Sequence, residues 1–119
     1  MNAAVRGFPV QPFDPHPAVN AGSSSYARFL WLNTDEEPEA PASIRYRLDN
    51  LTDYASVTDW TAITPAESET LITLTPAQNT MLRTWRDRQW MQVTAEATMS
   101  DGTVQTKLWV YELIAMIQP

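Results

Sequence analysis

Two runs of alternating apolar and polar residues dominate the C-terminal third of the chain: WMQVTAEATM at 90–99 and VQTKLWVYEL at 104–113. Alternation with a period of two is typical of a strand with one buried face. The runs are joined by SDGT, and Asp-Gly between two alternating runs is the strongest short-range signal for a β-hairpin. The pattern therefore predicts a closing hairpin with Asp101-Gly102 at its tip.

The register of this hairpin follows from counting outward from a two-residue turn. Glu96 then lies opposite Lys107, and the opposite charges support the pairing. Trp109 and Tyr111 are predicted to point outward, where large aromatic side chains often mark interfaces. Burial under another segment of the chain is the alternative for these two rings. The opposite face is predicted to be core and comprises Met91, Val93, Ala95, Ala97, Met99, Val104, Leu108 and Val110.

The rest of the chain indicates an all-β fold. A short helix is predicted over 76–86, because Thr75, Pro76 and Gln78 form a capping-box pattern. Short strands separated by turn signals favour an immunoglobulin or fibronectin III-like antiparallel β-sandwich, with a small barrel as the alternative. The remaining strands are predicted at 26–33, 43–51, 56–63 and 69–75.

The N-terminal segment GFPVQPFDPHPAVNAG at 7–22 is rich in proline, which removes backbone donors and favours extended geometry. We therefore predict an extended arm over residues 1–25, followed by the sandwich domain over 26–119. Phe8, Val10 and Phe13 are its candidate partner-binding residues, because a pre-extended segment presents apolar side chains to a groove. The arm is expected to dock on its own domain or on a neighbour, and a mobile tail is the alternative.

Charge and composition exclude several classes of partner. The net charge of −6 argues against nucleic acid, which requires a basic surface. No apolar run approaches the roughly 20 residues that span a bilayer, and no secretory signal is visible. We therefore expect the cytosol in which the chain is made, or a particle assembled there.

The residues for common catalytic chemistry are also missing. The chain has no cysteine, and its single histidine, His16, lies between two prolines. Ser-His and Cys-His nucleophile systems are therefore not expected. Asp49, Asp53 and Asp59 cluster in sequence, but their spacing does not fit a calcium loop and favours ordinary turns. The sequence predicts no enzyme, no metal, no cofactor and no small-molecule substrate.

The segment RTWRDRQW at 83–90 is the one basic cluster in an acidic chain. Arg83, Arg86 and Arg88 are candidate partner-binding residues for an acidic surface, such as the 34–39 loop of a neighbouring copy. The alternative is a solvated helix end, with the arginines near the last carbonyl groups.

From residue 44 onward the chain resembles a family of small Ig-like virion proteins of tailed bacteriophages and prophages. The resemblance lies in the order of four phrases and excludes the arm: IRYRLDNLT (44–52), VTDWTAITPAES (57–68), TLITLTPAQNTM (70–81) and QVTAEATMSDGTVQTKLWVYELI (92–114). It implies a non-enzymatic capsid decoration or cement protein, located in the virion. The implied partners are the major capsid protein, neighbouring virion proteins or copies of the chain itself.

Two alternative functions stay open at this stage. The first is a component of the neck between head and tail. The second is a carbohydrate- or host-surface-binding module that would use Trp60, Trp109 and Tyr111 as stacking platforms.

Overall fold

The computed structural model describes residues 17–64, 67–83 and 85–115. This part of the chain is all-β and contains no helix. Each predicted strand is found, with its ends shifted by a few residues. The strands are β1 (Ala18–Asn20), β2 (Ser25–Leu30), β3 (Ser43–Asn50), β4 (Ala55–Ile63), β5 (Glu69–Leu74), β6 (Arg88–Thr98) and β7 (Val104–Ile114).

The strands form two sheets, as expected for a β-sandwich. The larger sheet has the order β1-β7-β6-β3-β4, and the smaller sheet consists of β2 and β5. β1 runs parallel to β7, whereas every other pair is antiparallel.

The hydrophobic core is formed by residues of both sheets, and alternate residues of β2, β5 and β6 are buried. Trp31 follows β2 and is fully buried, with its indole N–H donating to Thr70 Oγ1 at 2.9 Å. The buried core comprises Ala27, Phe29, Trp31, Ile44, Leu48, Ile72, Leu74, Met91, Val93, Ala95, Ala97, Met99, Tyr111 and Leu113.

The hairpin register predicted from the sequence is wrong by one residue. The Met99 N–H donates to the Thr103 carbonyl and the Gly102 N–H donates to the Met99 carbonyl, so the loop between Met99 and Thr103 has three residues instead of two. Gly102 ends this loop with φ of 91°, the arrangement of a type I turn followed by a G1 bulge. Lys107 therefore lies opposite Ala95, and Glu96 lies opposite Thr106.

Because side chains alternate with a period of two, this slip reverses both faces of β7. The core face predicted for β6 is correct, and Val93 is fully buried opposite Trp109. The core positions predicted for Val104, Leu108 and Val110 are wrong, since these side chains lie on the opposite face of the sheet from Val93. Tyr111, predicted to point outward, has no exposed surface in the described chain.

The short helix predicted over 76–86 is not found in the described residues of that range. The capping box is present, with the Gln78 N–H donating to Thr75 Oγ1 and the Thr75 N–H donating to Gln78 Oε1. It closes one turn, in which the Asn79 N–H donates to the Thr75 carbonyl at 3.1 Å. The buried Asn79 side chain then accepts a hydrogen bond from the Tyr111 hydroxyl, which ties the turn to β7.

Strand β1 lies within the segment that the sequence assigned to the arm. The Glu112 N–H donates to the Pro17 carbonyl, and the Ala21 N–H donates to the Ile114 carbonyl. In this register the nitrogen of Pro17 faces the Val110 carbonyl but has no hydrogen to donate. Within the described residues, the parallel ladder begins just after Pro17, with Ala18 paired to Glu112. Phe8, Val10 and Phe13 lie outside the described residues.

Candidate protein-binding site

The site is built on the loop between β3 and β4, which Asn50 holds in shape. The side chain of Asn50 is buried, and its Oδ1 accepts hydrogen bonds from the N–H groups of Thr52 and Asp53. Its Nδ2 donates to Asp53 Oδ2 at 2.9 Å. An Asx turn of this kind satisfies the loop's backbone donors from a single residue. Hydrogen bonds between residues of the loop itself therefore fix its conformation.

Tyr54 closes this loop in an unfavourable backbone conformation. Its φ is 53°, in the left-handed region that costs a non-glycine residue about 1–2 kcal/mol. Its side chain is nevertheless 94% exposed, so packing within the described chain does not offset that cost. Strained, exposed positions of this kind are characteristic of functional sites.

An ion pair connects this loop to the segment before β6. Asp53 Oδ1 lies 2.9 Å from Arg86 and 3.7 Å from Arg83. The hydrogen bond from Asn50 lowers the pKa of Asp53, and the two guanidinium groups lower it further against the opposing effect of desolvation. The Arg86 guanidinium also lies 4.8 Å from the centre of the Trp85 ring, which is 72% exposed. Tyr54 and Trp85 are therefore brought to the same end of the sandwich.

A pocket of about 270 Å³ is lined in part by Asn50, the residue whose amide donates to Asp53 of this ion pair. Two buried or half-buried amides hold its walls together. Gln89 Oε1 accepts the Leu82 N–H, and Gln78 Nε2 donates to Thr58 Oγ1 of β4. Leu82, at the pocket wall, is 53% exposed. The lining residues are Asn50, Ala55, Ser56, Val57, Ala77, Gln78, Thr80, Met81, Leu82 and Gln89.

We refer to Tyr54, Leu82, Trp85 and this pocket as the tip surface. Its exposed groups are mainly apolar and aromatic, and the ion pair of Asp53 and Arg86 lies at its base. Exposed aromatic and aliphatic groups around a shallow pocket are suited to binding an apolar side chain of another protein. Among the described residues, no group of three acidic, histidine or cysteine side chains is arranged to hold a metal ion. The described part also has no helix able to cross a membrane.

The arginines predicted to bind an acidic partner already have acidic partners within the chain. Arg83 and Arg86 contact Asp53, and Arg88 lies 3.3 Å from Glu112. Arg86 Nε is buried and has no hydrogen-bond partner among the described residues. The basic cluster is therefore largely neutralised locally.

The aromatic residues named as stacking platforms do not share a surface. Trp109 and Tyr111 stack with ring centroids 4.6 Å apart on the inner side of β7. Trp60 lies elsewhere, with the Arg45 guanidinium 4.1 Å from its ring centre. Tyr111 is buried by the core, and burial raises the pKa of its phenol. A sugar-sized platform built from these three side chains is not present.

The clustered carboxylates also separate. Asp49 pairs with Arg47 at 2.8 Å, whereas Asp53 turns toward Arg86. Asp59 is exposed and reaches only the edge of the Arg47 guanidinium, at 4.0 Å.

Tyr54, Leu82 and Trp85 are not among the site residues predicted from the sequence. Trp85 lies inside the basic cluster, where only the arginines were considered. The sequence does carry a signal for Tyr54. The run Asn50 to Asp53 is rich in turn formers, and a large aromatic residue follows it at a turn position where glycine or asparagine is usual.

No protein-family model matches the chain, and neither curated proteins nor solved structures give a match.

Proposed function

We propose that this chain is a non-enzymatic virion structural protein that binds the phage capsid, or its neighbours, as a decoration or cement protein. The resemblance of residues 44–114 to small phage virion proteins suggests the virion. The net charge of −6 is consistent with a protein partner and unfavourable for binding nucleic acid. The tip surface is the contact region in this proposal.

The observation that carries the proposal is the exposed and strained Tyr54. A left-handed tyrosine that is 94% exposed destabilises the isolated domain, and packing among the described residues does not compensate for that cost. Burial against a partner would supply that compensation, because an aromatic ring at the centre of an interface is a common hot spot.

The sheet order supports an immunoglobulin-like form of the sandwich. In that fold strands C, F and G form one sheet, and variable-type domains add C′ beside C. Here β3, β4, β6 and β7 follow the corresponding order, with β2 and β5 paired in the other sheet as strands B and E would be. Loops at the ends of such sandwiches are frequent binding sites, and the tip surface lies at one end.

The test is to add the purified full-length chain to virions or shells that lack it and to measure bound copies per particle. We expect saturable binding at a stoichiometric copy number. Leu82→Ser and Trp85→Ser should each weaken binding by at least fivefold. Leu71→Ser is the matched control, since Leu71 and Leu82 are almost equally exposed, at 52% and 53%, but Leu71 lies on β5.

The number of bound copies distinguishes the possible locations. Many copies per shell support decoration, whereas saturation at a few copies indicates the neck. Absence of saturable binding would overturn the proposal. Equal loss with Leu71→Ser and Leu82→Ser would overturn the assignment of the tip surface.

A further inference from the structure

Among the residues that the structure describes, the edge of strand β7 is open over most of its length. β1 covers only Glu112, Leu113 and Ile114. Main-chain groups of the even-numbered residues face this edge, as the contacts of Glu112 with Pro17 and of Ile114 with Ala21 show. Between residues 104 and 110, no described residue donates to or accepts from these groups.

The edges of β2 and β4 are protected, unlike this one. The β2 edge is capped by side chains from β7: Lys107 Nζ donates to the Leu30 carbonyl at 2.6 Å, and Gln105 donates to the Leu32 carbonyl. The β4 edge is made irregular by shifts of its register with β3. Lysines and bulges are standard protections of an edge strand against pairing with another chain.

The β7 edge has neither protection. Its outward side chains are Val104, Thr106, Leu108 and Val110, and none of them is charged. Leu108 is 58% exposed. Lys107, the only lysine of the chain, points inward to β2 instead of guarding this edge. A long, uncharged edge strand is a site for strand addition.

The sequence of the N-terminal arm is poorly suited to complete this edge by continuing β1. In the register of β1, the odd-numbered residues turn their N–H groups toward β7. Residues 11, 13, 15 and 17 would face the carbonyl groups between residues 104 and 110, and two of these four positions, 15 and 17, are proline. Each of these prolines lacks the hydrogen that a ladder with β7 would need. A different strand with intact N–H groups is better suited to pair with this edge.

We propose that β7 pairs with β7 of a second copy, antiparallel, with the two-fold axis at Thr106. An isologous pairing of this kind joins the two larger sheets into one. Residues 104–108 of each copy would form about six main-chain hydrogen bonds across the edge.

This register follows from the side chains. With Thr106 opposite Thr106 of the second copy, Leu108 lies opposite Val104 and their aliphatic groups meet on the outer face. Lys107 then lies opposite Gln105. A shift of the axis by one residue would place the two copies of Lys107 directly opposite each other, and like charges in that position are destabilising.

The first experiment measures the mass of the full chain by sedimentation over a range of concentrations. We expect a concentration-dependent dimer. Thr106→Lys, which sets two lysines face to face on the axis, should raise the dimer Kd at least tenfold. Thr73→Lys on β5 is the matched control, because Thr73 is likewise an exposed strand threonine, and it should leave the Kd unchanged. Thermal unfolding verifies that both variants fold.

The second experiment tests the register by disulfide formation, since the chain has no native cysteine. Thr106→Cys should cross-link readily, because hydrogen-bonded antiparallel pairs have Cα atoms about 5.5 Å apart, within the disulfide range. Leu108→Cys should not, since its copies would be roughly 13 Å apart along the strands.

Three results would overturn the proposal: a monomer at every concentration, a Thr106→Lys dimer as tight as wild type, or equal cross-linking of the two cysteine variants. Loss of the dimer with Thr73→Lys alone would place the interface on β5.

Discussion

Replacing Tyr54 by asparagine should stabilise the domain and weaken its binding to shells. The tyrosine has φ of 53°, and this conformation costs about 1–2 kcal/mol for most residues with a side chain. Asparagine adopts it more readily because its short side chain hydrogen-bonds locally. The ring is 94% exposed, so its loss removes at most about 0.2 kcal/mol of burial.

The net gain in the free energy of unfolding is therefore about 0.5–1 kcal/mol. For a domain of this size that corresponds to a rise of roughly 2–6 °C in Tm. Losing an aromatic hot spot costs about 2 kcal/mol of binding, close to thirtyfold in Kd. Thermal unfolding followed by circular dichroism and the shell-binding measurement report the two effects separately.

Tyr26→Asn is the matched control. Tyr26 is also exposed, at 58%, but it lies in the regular strand β2, where asparagine is a poorer strand former. We expect this control to lower Tm slightly and to leave binding unchanged. A lower Tm for Tyr54→Asn would show that the ring stabilises the fold, and the reasoning from strain would fail. A higher Tm with unaltered binding would exclude Tyr54 from the interface.

Two further predictions concern polar contacts. Tyr111→Phe removes the donor to the buried Asn79 Oδ1 and should reduce the free energy of unfolding by about 1–3 kcal/mol in urea titrations. The exposed control Tyr26→Phe should have no effect, and an equal loss in both would contradict the role of the buried bond. The pKa of Asp53 is lowered in the folded state, so its contribution to stability is present above its ordinary pKa and is lost as the pH falls through the lowered value. The Asp53→Asn variant should therefore have a lower free energy of unfolding than wild type at pH 7, and this difference should become smaller as the pH is lowered toward 3. A difference that does not depend on pH would refute this linkage.

The strands could be predicted from the sequence because one face of each is unambiguous. In β6 the residues on one face are all apolar from Met91 to Ala97 and those on the other are mostly polar, so the buried face follows directly. Asn79, a polar residue in the predicted helix, illustrates the limit. Its side chain is buried and bonded to β7, a long-range contact that local capping signals do not reveal.

The site could not be predicted, because its defining features are conformational. Tyr54 differs from an ordinary loop tyrosine only in its backbone dihedral angle, and Trp85 only in its exposure. The residues that position them gave partial signals. Asn50 and Asp53 are evident turn formers, but their link to Arg86 joins segments separated by more than 30 positions.

The register of β7 shows why a single loop residue matters for function. Both faces of β7 carry apolar residues, Val104 and Leu108 on one and Trp109 and Tyr111 on the other, so hydrophobicity alone does not choose between them. The hairpin loop determines which face of β7 is buried, because Gly102 at φ of 91° ends a three-residue connection and so sets the register. That choice turns Lys107 inward to cap β2 and leaves uncharged side chains along the outer edge. A two-residue turn would have placed the lysine on the other face, so the loop that buries Tyr111 also determines whether a second copy meets a neutral edge.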